Sequence, residues 1–354
     1  MNFDAGRKAL DLDEPSSAAS GAAVTARIVA EARGGYVIEA AEQEYPAGLS
    51  GRFRHQAAGK SERPVVGDEV EVELSGTTAV IHACRPRRTV LARRAAGGGE
   101  IPQVIAANID RVFVTMGLDG DFNLRRLERF LVGARRGGAE AVVLLNKSDL
   151  VAPAELERRR QAAAAVTAGV PVYVVTTRTE TGLDPVRALL LPEQLVCFIG
   201  SSGVGKSSII NGLLGDDVIR HQAVRENDQR GRHTTTCRQM YRLPSGTLVI
   251  DTPGMREFGL WAQTGAVDDL FPEIRTLADE CFFRDCSHQH EPRCAVRRAL
   301  EDGVLSAERY ASFMKLHRES RVIAAKVDLT DKLMLKKQEK ALHRQYRRYP
   351  HRRF

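Results

Sequence analysis

Two kinds of hydrophobic pattern divide the chain. Between about Ala22 and Cys84 apolar and polar positions alternate over short runs, VTARIVA, GYVIEA, DEVEVEL and TAVIHA, separated by Gly, Pro and Ser. Alternation with period two is the pattern of half-buried strands. Four or five such strands in about seventy residues suit a small barrel, with an OB-like barrel the leading candidate. After a Gly-rich stretch, Ala95 to Glu100, the pattern changes to uninterrupted apolar runs: RVFVTMG, AVVLLNK, VYVVTT, LVCFIG and TLVIDTPG. Helical stretches lie between them at Leu124 to Arg136, Pro153 to Ala168 and Asp184 to Leu191. Strands apolar on both faces, alternating with helices, predict a parallel sheet covered on both sides. From about Gly265 the chain reads as helical, with a cluster of cysteines embedded in it.

A length of 354 residues with 43% hydrophobic and 27% charged positions allows two or three domains with cores of their own. No run of eighteen apolar residues occurs, so no membrane span is expected. Met1 to Gly21 is acidic, Ala/Ser-rich and lacks an apolar signal core; it reads as a disordered leader, and the chain is expected in the cytoplasm. The net charge of +7 is localised. From Lys326 to Phe354 ten Lys/Arg face only Asp328, Asp331 and Glu339, so this tail carries the whole excess. A basic tail suits a polyanionic partner, most simply nucleic acid, or else a solvated basic helix.

The chemistry is concentrated in three motifs. Gly200-Ser201-Ser202-Gly203-Val204-Gly205-Lys206-Ser207 fits GxxxxGK[ST] in full, follows the apolar run LVCFI and precedes the helical SIINGLL beginning at Ser208. That strand–loop–helix context is the one a phosphate-binding loop requires. Backbone N–H groups would wrap the phosphates, Lys206 would reach the β- and γ-oxygens, and Ser207 would ligate Mg2+. Asn146-Lys147-Ser148-Asp149 ends the strand AVVLL and has the form NKxD. Its aspartate can accept from guanine N1–H and the exocyclic amine, for which adenine has no counterpart, so the expected nucleotide is GTP. Thr176 and Thr177, followed by Arg178, are candidates for a second base-side loop. Asp251-Thr252-Pro253-Gly254 follows the strand TLVI, which places Asp251 to hold Mg2+ through water and the Gly254 N–H to meet the γ-phosphate. In the intervening GRHTTT, Thr235 is the candidate magnesium ligand from a switch loop. Met255 stands where Ras-like enzymes carry a water-orienting Gln. His233 is therefore the candidate to assist the attacking water, against the alternative of a structural or merely exposed histidine. NKSD precedes the phosphate loop, so the order of elements is circularly permuted.

Six cysteines are present, and Cys281, Cys286 and Cys294 crowd together with His288. Three thiolates and one imidazole suit tetrahedral Zn2+, and four ligands leave no open position, so one structural zinc is expected. His290 is a possible substitute for His288, and reduced core cysteines are the alternative to a metal.

The succession NKSD, GSSGVGKSS, GRHTTT, DTPGMREFGLW and CFFRDCSHQHEPRCAV, with GDEVEVE and AANIDRVFV upstream, resembles the ribosome small-subunit-dependent GTPase A family of circularly permuted GTPases. The similarity spans about Ala22 to Lys326; Thr176-Thr177 stand where serines are common in the family, keeping the hydroxyls. The resemblance implies a multidomain chain: a leader at 1–21, an OB-fold RNA-binding domain at 22–95, a permuted P-loop GTPase domain at 96–264, a helical zinc-binding domain at 265–325 and a basic tail at 326–354. It also implies a monomeric GTPase of late 30S subunit maturation, binding 16S rRNA and stimulated by the particle. Two other readings stay open: a P-loop ATPase or kinase in which NKSD is accidental, and an RNA-binding scaffold that holds GTP without turning it over. Because DTPG closes the catalytic segment, REFGLWAQTG leads from the switch straight into the C-terminal domain, a short connection by which γ-phosphate sensing could reach it.

Overall fold

The computed structural model describes residues 24–32, 34–57, 63–94, 102–215, 239–251, 265–322 and 325. The alternating first segment forms β1 (Val24–Ala32), β2 (Gly35–Ala40), β3 (Gln43–Leu49), a short helix α1 (Gly51–Gln56), β4 (Glu69–Ser75) and β5 (Thr78–Cys84). The strands pair in the order β1-β2-β3-β5-β4, and β4 returns to β1, which closes the barrel. Only β3 and β5 run parallel. Five strands in this order, with a helix between the third and fourth, form the OB-like barrel the alternation predicted. Inward residues Ile28, Ile38, Val70, Val72 and Ile81 are fully buried. β3 is the strand the pattern did not reveal. It carries Pro46, which has no N–H to donate, and Pro46 lies just before pairing with β5 begins at Ala47, where only one side of the strand is bonded. β6 (Val90–Arg94) and β7 (Pro102–Ala107) then pair antiparallel, one on each side of the Gly-rich stretch where the sequence placed a boundary.

The second segment runs β8 (Arg111–Gly117), α2 (Leu124–Arg136), β9 (Glu140–Asn146), α3 (Pro153–Val166), β10 (Val172–Val174), α4 (Asp184–Arg187), β11 (Leu195–Ile199), α5 (Lys206–Leu214), β12 (Gln239–Arg242) and β13 (Leu248–Asp251). The sheet order is β10-β9-β8-β11-β13-β12. All of these pairs are parallel except β12 with β13. The chain steps outward from β8 to β10, returns to the centre at β11 and fills the other side. The progression therefore reverses between β8 and β11, and the carboxyl ends of adjacent strands at such a reversal form the crevice where open α/β sheets bind ligands. One register pair, Ala30 with Gln239, carries the sheet across to the barrel.

The C-terminal helices are α6 (Gly265–Asp268), α7 (Pro272–Asp279), α8 (Ala295–Glu301) and α9 (residues 307–322). Among the described residues no helix is long and apolar enough to cross a membrane. Phe271, Ile274, Val296, Phe313 and Leu316 belong to one core with Leu127, Phe130 and Leu131 of α2. One charged group is sealed into this contact. Glu128, 2% exposed, accepts from the Arg309 guanidinium and the Ser312 hydroxyl of α9. Arg309 also donates to Leu270 O at 2.7 Å and stacks over the Phe271 ring at 4.0 Å. Arg309→Leu strands a buried carboxylate and is expected to cost about 3–5 kcal/mol, read as a lower denaturant midpoint. Adding Glu128→Gln to it should restore part of that loss, because the uncompensated charge is then gone.

Candidate functional site

β11 is buried along its length and delivers Gly200 to the carboxyl edge of the sheet. Two glycines there are fixed by space as well as by backbone. Gly200 has φ +151°, and a Cβ on it would lie 2.2 Å from Thr115 O. Gly205 has φ +98°, and a Cβ on it would lie 2.3 Å from Asn146 Nδ2. The loop Gly200, Ser201, Ser202, Gly203, Val204, Gly205 thus folds close over β8 and β9, and α5 starts at Lys206 with Ser207 and Ser208 in its first turn. Lys206 Nζ donates to Gly200 O at 2.8 Å and Ser201 O at 2.7 Å. Burial pushes its ammonium down to about 8, with the Asp251 and Asp121 carboxylates pulling the other way. Asp251 ends β13, on the strand next to β11.

The base-side motif joins the phosphate loop directly. Asn146 is 1% exposed, and its Nδ2 donates to Val204 O at 2.8 Å. Its Oδ1 is buried without a hydrogen-bond partner among the described residues. Lys147 adopts φ +66°, which turns the chain so that its Nζ reaches Asp119 Oδ2 at 2.6 Å. Burial works to raise the Asp119 carboxyl, and the Lys147 ammonium with the Asp121 N–H outweighs it, holding the group below its usual range. Thr176 Oγ1 donates to Asp149 Oδ1 at 2.5 Å and accepts from Arg178 N at 3.1 Å. The two hydroxyls therefore divide: Thr176 orients the aspartate, while Thr177 lines the cavity with Asn146, Lys147, Asp149, Gly203 and Ser208. That cavity holds about 890 Å³, within the range of small-molecule sites.

The loop after β8 was not singled out from the sequence, yet it supports both motifs. Asp119 holds Lys147, while Arg126 donates to Ser201 Oγ at 2.6 Å and pairs with Asp121 Oδ1 at 2.7 Å. Asn123 caps α2, accepting from Arg126 N at 3.0 Å. The signal that points to this loop is topological: it follows the strand beside the phosphate-loop strand, at the reversal of strand order. His233, Thr235, Gly254 and Met255 lie outside the described residues.

The cysteine cluster assembles around one point. Cys281 Sγ lies 3.8 Å from Cys294 Sγ and 3.6 Å from His288 Nδ1, and Cys294 Sγ lies 3.5 Å from that nitrogen. With Cys286 the four donor atoms fall within 4.8 Å of one another. A tetrahedron with metal–sulfur arms of about 2.3 Å and a metal–nitrogen arm of about 2.0 Å has edges of about 3.8 and 3.5 Å, so this set fits a tetrahedral ion. Desolvation and the adjoining Cys294 and Cys281 sulfurs push the Cys286 thiol up to about 12, a penalty that a divalent ion reverses by binding the thiolate. His288, not His290, supplies the imidazole, and Tyr310 Oη fixes its turn by donating to His288 O at 2.7 Å. The Asp, Glu, Arg and Pro among the cysteines argue against a plain apolar cysteine core, and Cys281 and Cys286 are both partly exposed.

Comparison with known proteins agrees with this geometry. The family described as RsgA GTPase matches residues 84–261, and the one described as 50S ribosome-binding GTPase matches residues 195–348. The chain is 44% identical over 317 residues to the small ribosomal subunit biogenesis GTPase RsgA of Opitutus terrae, covering 86% of this chain and 85% of that one. It is 43% identical over 297 residues to RsgA 2 of Lactiplantibacillus plantarum, covering 84% and 83%. Among solved structures, YjeQ from Thermotoga maritima superposes with a TM-score of 0.64 at 26% identity, over 84% of this chain and 98% of that one. YloQ, a circularly permuted GTPase, shares the fold with a TM-score of 0.60 at 22% identity, over 84% and 95%. A closed five-stranded barrel, a phosphate loop preceded in the chain by Asn146-Lys147-Ser148-Asp149, and a Cys3His cluster coincide with these likenesses, and the chain belongs to the RsgA GTPase family.

Proposed function

We propose that this protein is a monomeric cytoplasmic GTPase that acts in maturation of the 30S subunit, binding 16S rRNA and hydrolysing GTP to GDP and phosphate with stimulation by the particle. The observation that carries the reading is the bond from Asn146 to the Val204 carbonyl. It locks the guanine-reading motif to the phosphate loop, and it leaves a buried Asn146 oxygen and a glycine cradle for a nucleotide to complete. Asp149, aimed by Thr176, reads guanine N1–H and the exocyclic amine; Lys147, braced on Asp119, covers the ring, and Thr177 borders the base. Gly200 to Gly205 and Lys206 hold the β- and γ-phosphates. Ser207 and Thr235 would hold Mg2+, with Asp251 reaching it through water, and the ion would neutralise charge on the transferring phosphoryl group. The Gly254 N–H meets the γ-phosphate. Met255 cannot orient water by a hydrogen bond, so we assign that task to His233. Cys281, Cys286, His288 and Cys294 hold one structural Zn2+. The barrel, the metal knuckle and the basic tail supply RNA-compatible surfaces around one switch, so binding to the particle should weaken steeply with salt.

Turnover of GTP measured with and without 30S particles tests this. Stimulation of roughly tenfold or more is expected, well inside what a partner-ordered site can provide, and ATP should not compete, since adenine lacks the donors Asp149 accepts. Competition by ATP would revive the ATPase reading. Negligible turnover with particles present would leave a GTP-holding scaffold.

A further inference from the structure

The Cys/His knuckle carries a feature that metal ligation does not use. Between Cys281 and Cys286, Phe282 is 57% exposed and Phe283 is 41% exposed. Their rings meet edge to face with centroids 5.0 Å apart. They take no part in the C-terminal core, which Phe271 and Phe313 fill. Arg293 lays its guanidinium over the Phe282 ring, 3.9 Å from the centroid.

The knuckle fixes this stack. Phe282 follows the ligand Cys281 and Arg293 precedes the ligand Cys294, and the two sulfurs are 3.8 Å apart. Phe282 N donates to Arg293 O at 3.4 Å, tying the two backbones. Arg293 has φ +59°, a conformation that residues with a Cβ avoid, and it is held there at the metal site's edge. The ring and the guanidinium are thus presented to solvent in advance, with little freedom left to lose on binding.

The charge around the patch selects among partners. Arg284 and Arg293 in the knuckle, and Arg298 on α8, are exposed. Of the acidic residues in the knuckle, Glu291 turns its carboxylate onto its own loop, accepting from Ser287 N and Oγ, Gln289 N and His290 N. Asp285 is exposed in the knuckle, and Asp279 and Glu280 are exposed just before Cys281. An apolar protein partner needs no arginine rim, whereas a polyanion with flat faces uses both parts. Unpaired RNA bases stack on aromatic rings and on guanidinium planes, while arginines meet the phosphates.

We propose that Phe282, Phe283 and Arg293 form a stacking platform for unpaired bases of single-stranded RNA, with Arg284 and Arg298 placed for its phosphates; the choice of RNA rests on the ribosome reading above. The test uses the full chain with its metal, a labelled mixed-sequence single-stranded RNA and the same sequence closed into a hairpin duplex. Phe282→Ala and Phe283→Ala should each weaken single-strand binding by roughly tenfold, and Phe282→Tyr, which keeps the ring, by no more than about twofold. Metal content, GTP-analogue affinity and duplex binding should stay as in the parent chain. Unchanged single-strand affinity in Phe282→Ala overturns the platform. So does a loss of 30S binding with the oligonucleotide affinity intact, because that assigns the patch to a protein surface. Parent-chain turnover that 30S particles leave unchanged removes the ribosome reading instead, and the oligonucleotide result still decides the platform.

Discussion

Lys206→Met is expected to lower GTP turnover by roughly 10²–10³-fold, the loss that follows removal of a fixed charge stabiliser from a water-poor site. Among the described residues, Lys206 Nζ hydrogen-bonds to the carbonyls of Gly200 and Ser201, at 2.8 and 2.7 Å. These neutral acceptors orient the ammonium without cancelling its charge. The same burial gives the residue a pH signature. Its ammonium is pushed down to about 8 from 10.5, so above about pH 8 the free protein holds a neutral lysine. A triphosphate favours the charged form, so binding in that range must take up a proton, and affinity falls as pH rises. Near pH 7 the lysine is already charged in both states and the uptake vanishes. Calorimetric titration of a non-hydrolysable GTP analogue at about pH 7 and about pH 9, in buffers of different ionisation enthalpy, should therefore show uptake only at the higher pH. Lys206→Met, followed at high nucleotide, reports what guanine's own N1–H contributes. An equal proton balance at both pH values would show that the lysine is charged throughout.

The contiguous motifs were legible because each is a local device. GSSGVGKS and NKSD are short runs whose backbone chemistry is written in adjacent residues, and both stand where the apolar runs end, as β11 and β9 show. The helix at Leu124–Arg136 keeps its predicted bounds, since Asn123 caps one end and Gly138, at φ +79° just past the C-cap Gly137, terminates the other. The other two helical stretches stop short, at Val166 and Arg187. What escaped were groups that act across the fold. Asp119 meets Lys147 from another strand's loop, and Arg126 reaches Ser201 across 75 positions of sequence. No local pattern distinguishes that arginine from Arg125 beside it. Nothing local marks Glu128 for burial, which depends on Arg309, 181 residues away.

The contacts of α2 also change the picture of how the nucleotide site and the C-terminal helices communicate. The sequence suggested the connection REFGLWAQTG, of which residues 256–264 lie outside the described residues. A second physical link is in place on α2 itself. Its first turn carries Arg126, which holds Ser201 of the phosphate loop, and its next turns carry Glu128 and Arg129, which pair with Arg309 and Glu319 of α9. One rigid helix therefore contacts both, so a movement of the phosphate loop that shifts α2 must also load the Glu128–Arg309 contact.

Removal of the ion assigned to Cys281, Cys286, His288 and Cys294, by chelation or by Cys294→Ser, is expected to melt α7 to α9 while the nucleotide cavity keeps its affinity for GTP. Structural zinc contributes about 10–16 kcal/mol of apparent binding free energy, as large as the whole stability of a typical domain. The helices it staples are short: α7 has 8 residues and α8 has 7, below the length at which helices persist without tertiary support. Cys294 also accepts from Arg297 N at 3.4 Å as the cap of α8, so its loss removes a ligand and a helix start together. The cavity, by contrast, is built on β8, β9 and β11, whose residues Phe113, Val142, Leu144, Val196 and Phe198 share a core with α5. Chelated protein should therefore lose helical circular dichroism and hydrogen-exchange protection in residues 272–322, bind a GTP analogue within about threefold of the intact chain, and lose stimulation by 30S particles. The α/β part should also melt earlier, because Glu128 loses its buried partner. Stoichiometric zinc in Cys294→Ser, or full exchange protection after chelation, would show that packing against α2 alone holds these helices and that the cluster is not their staple.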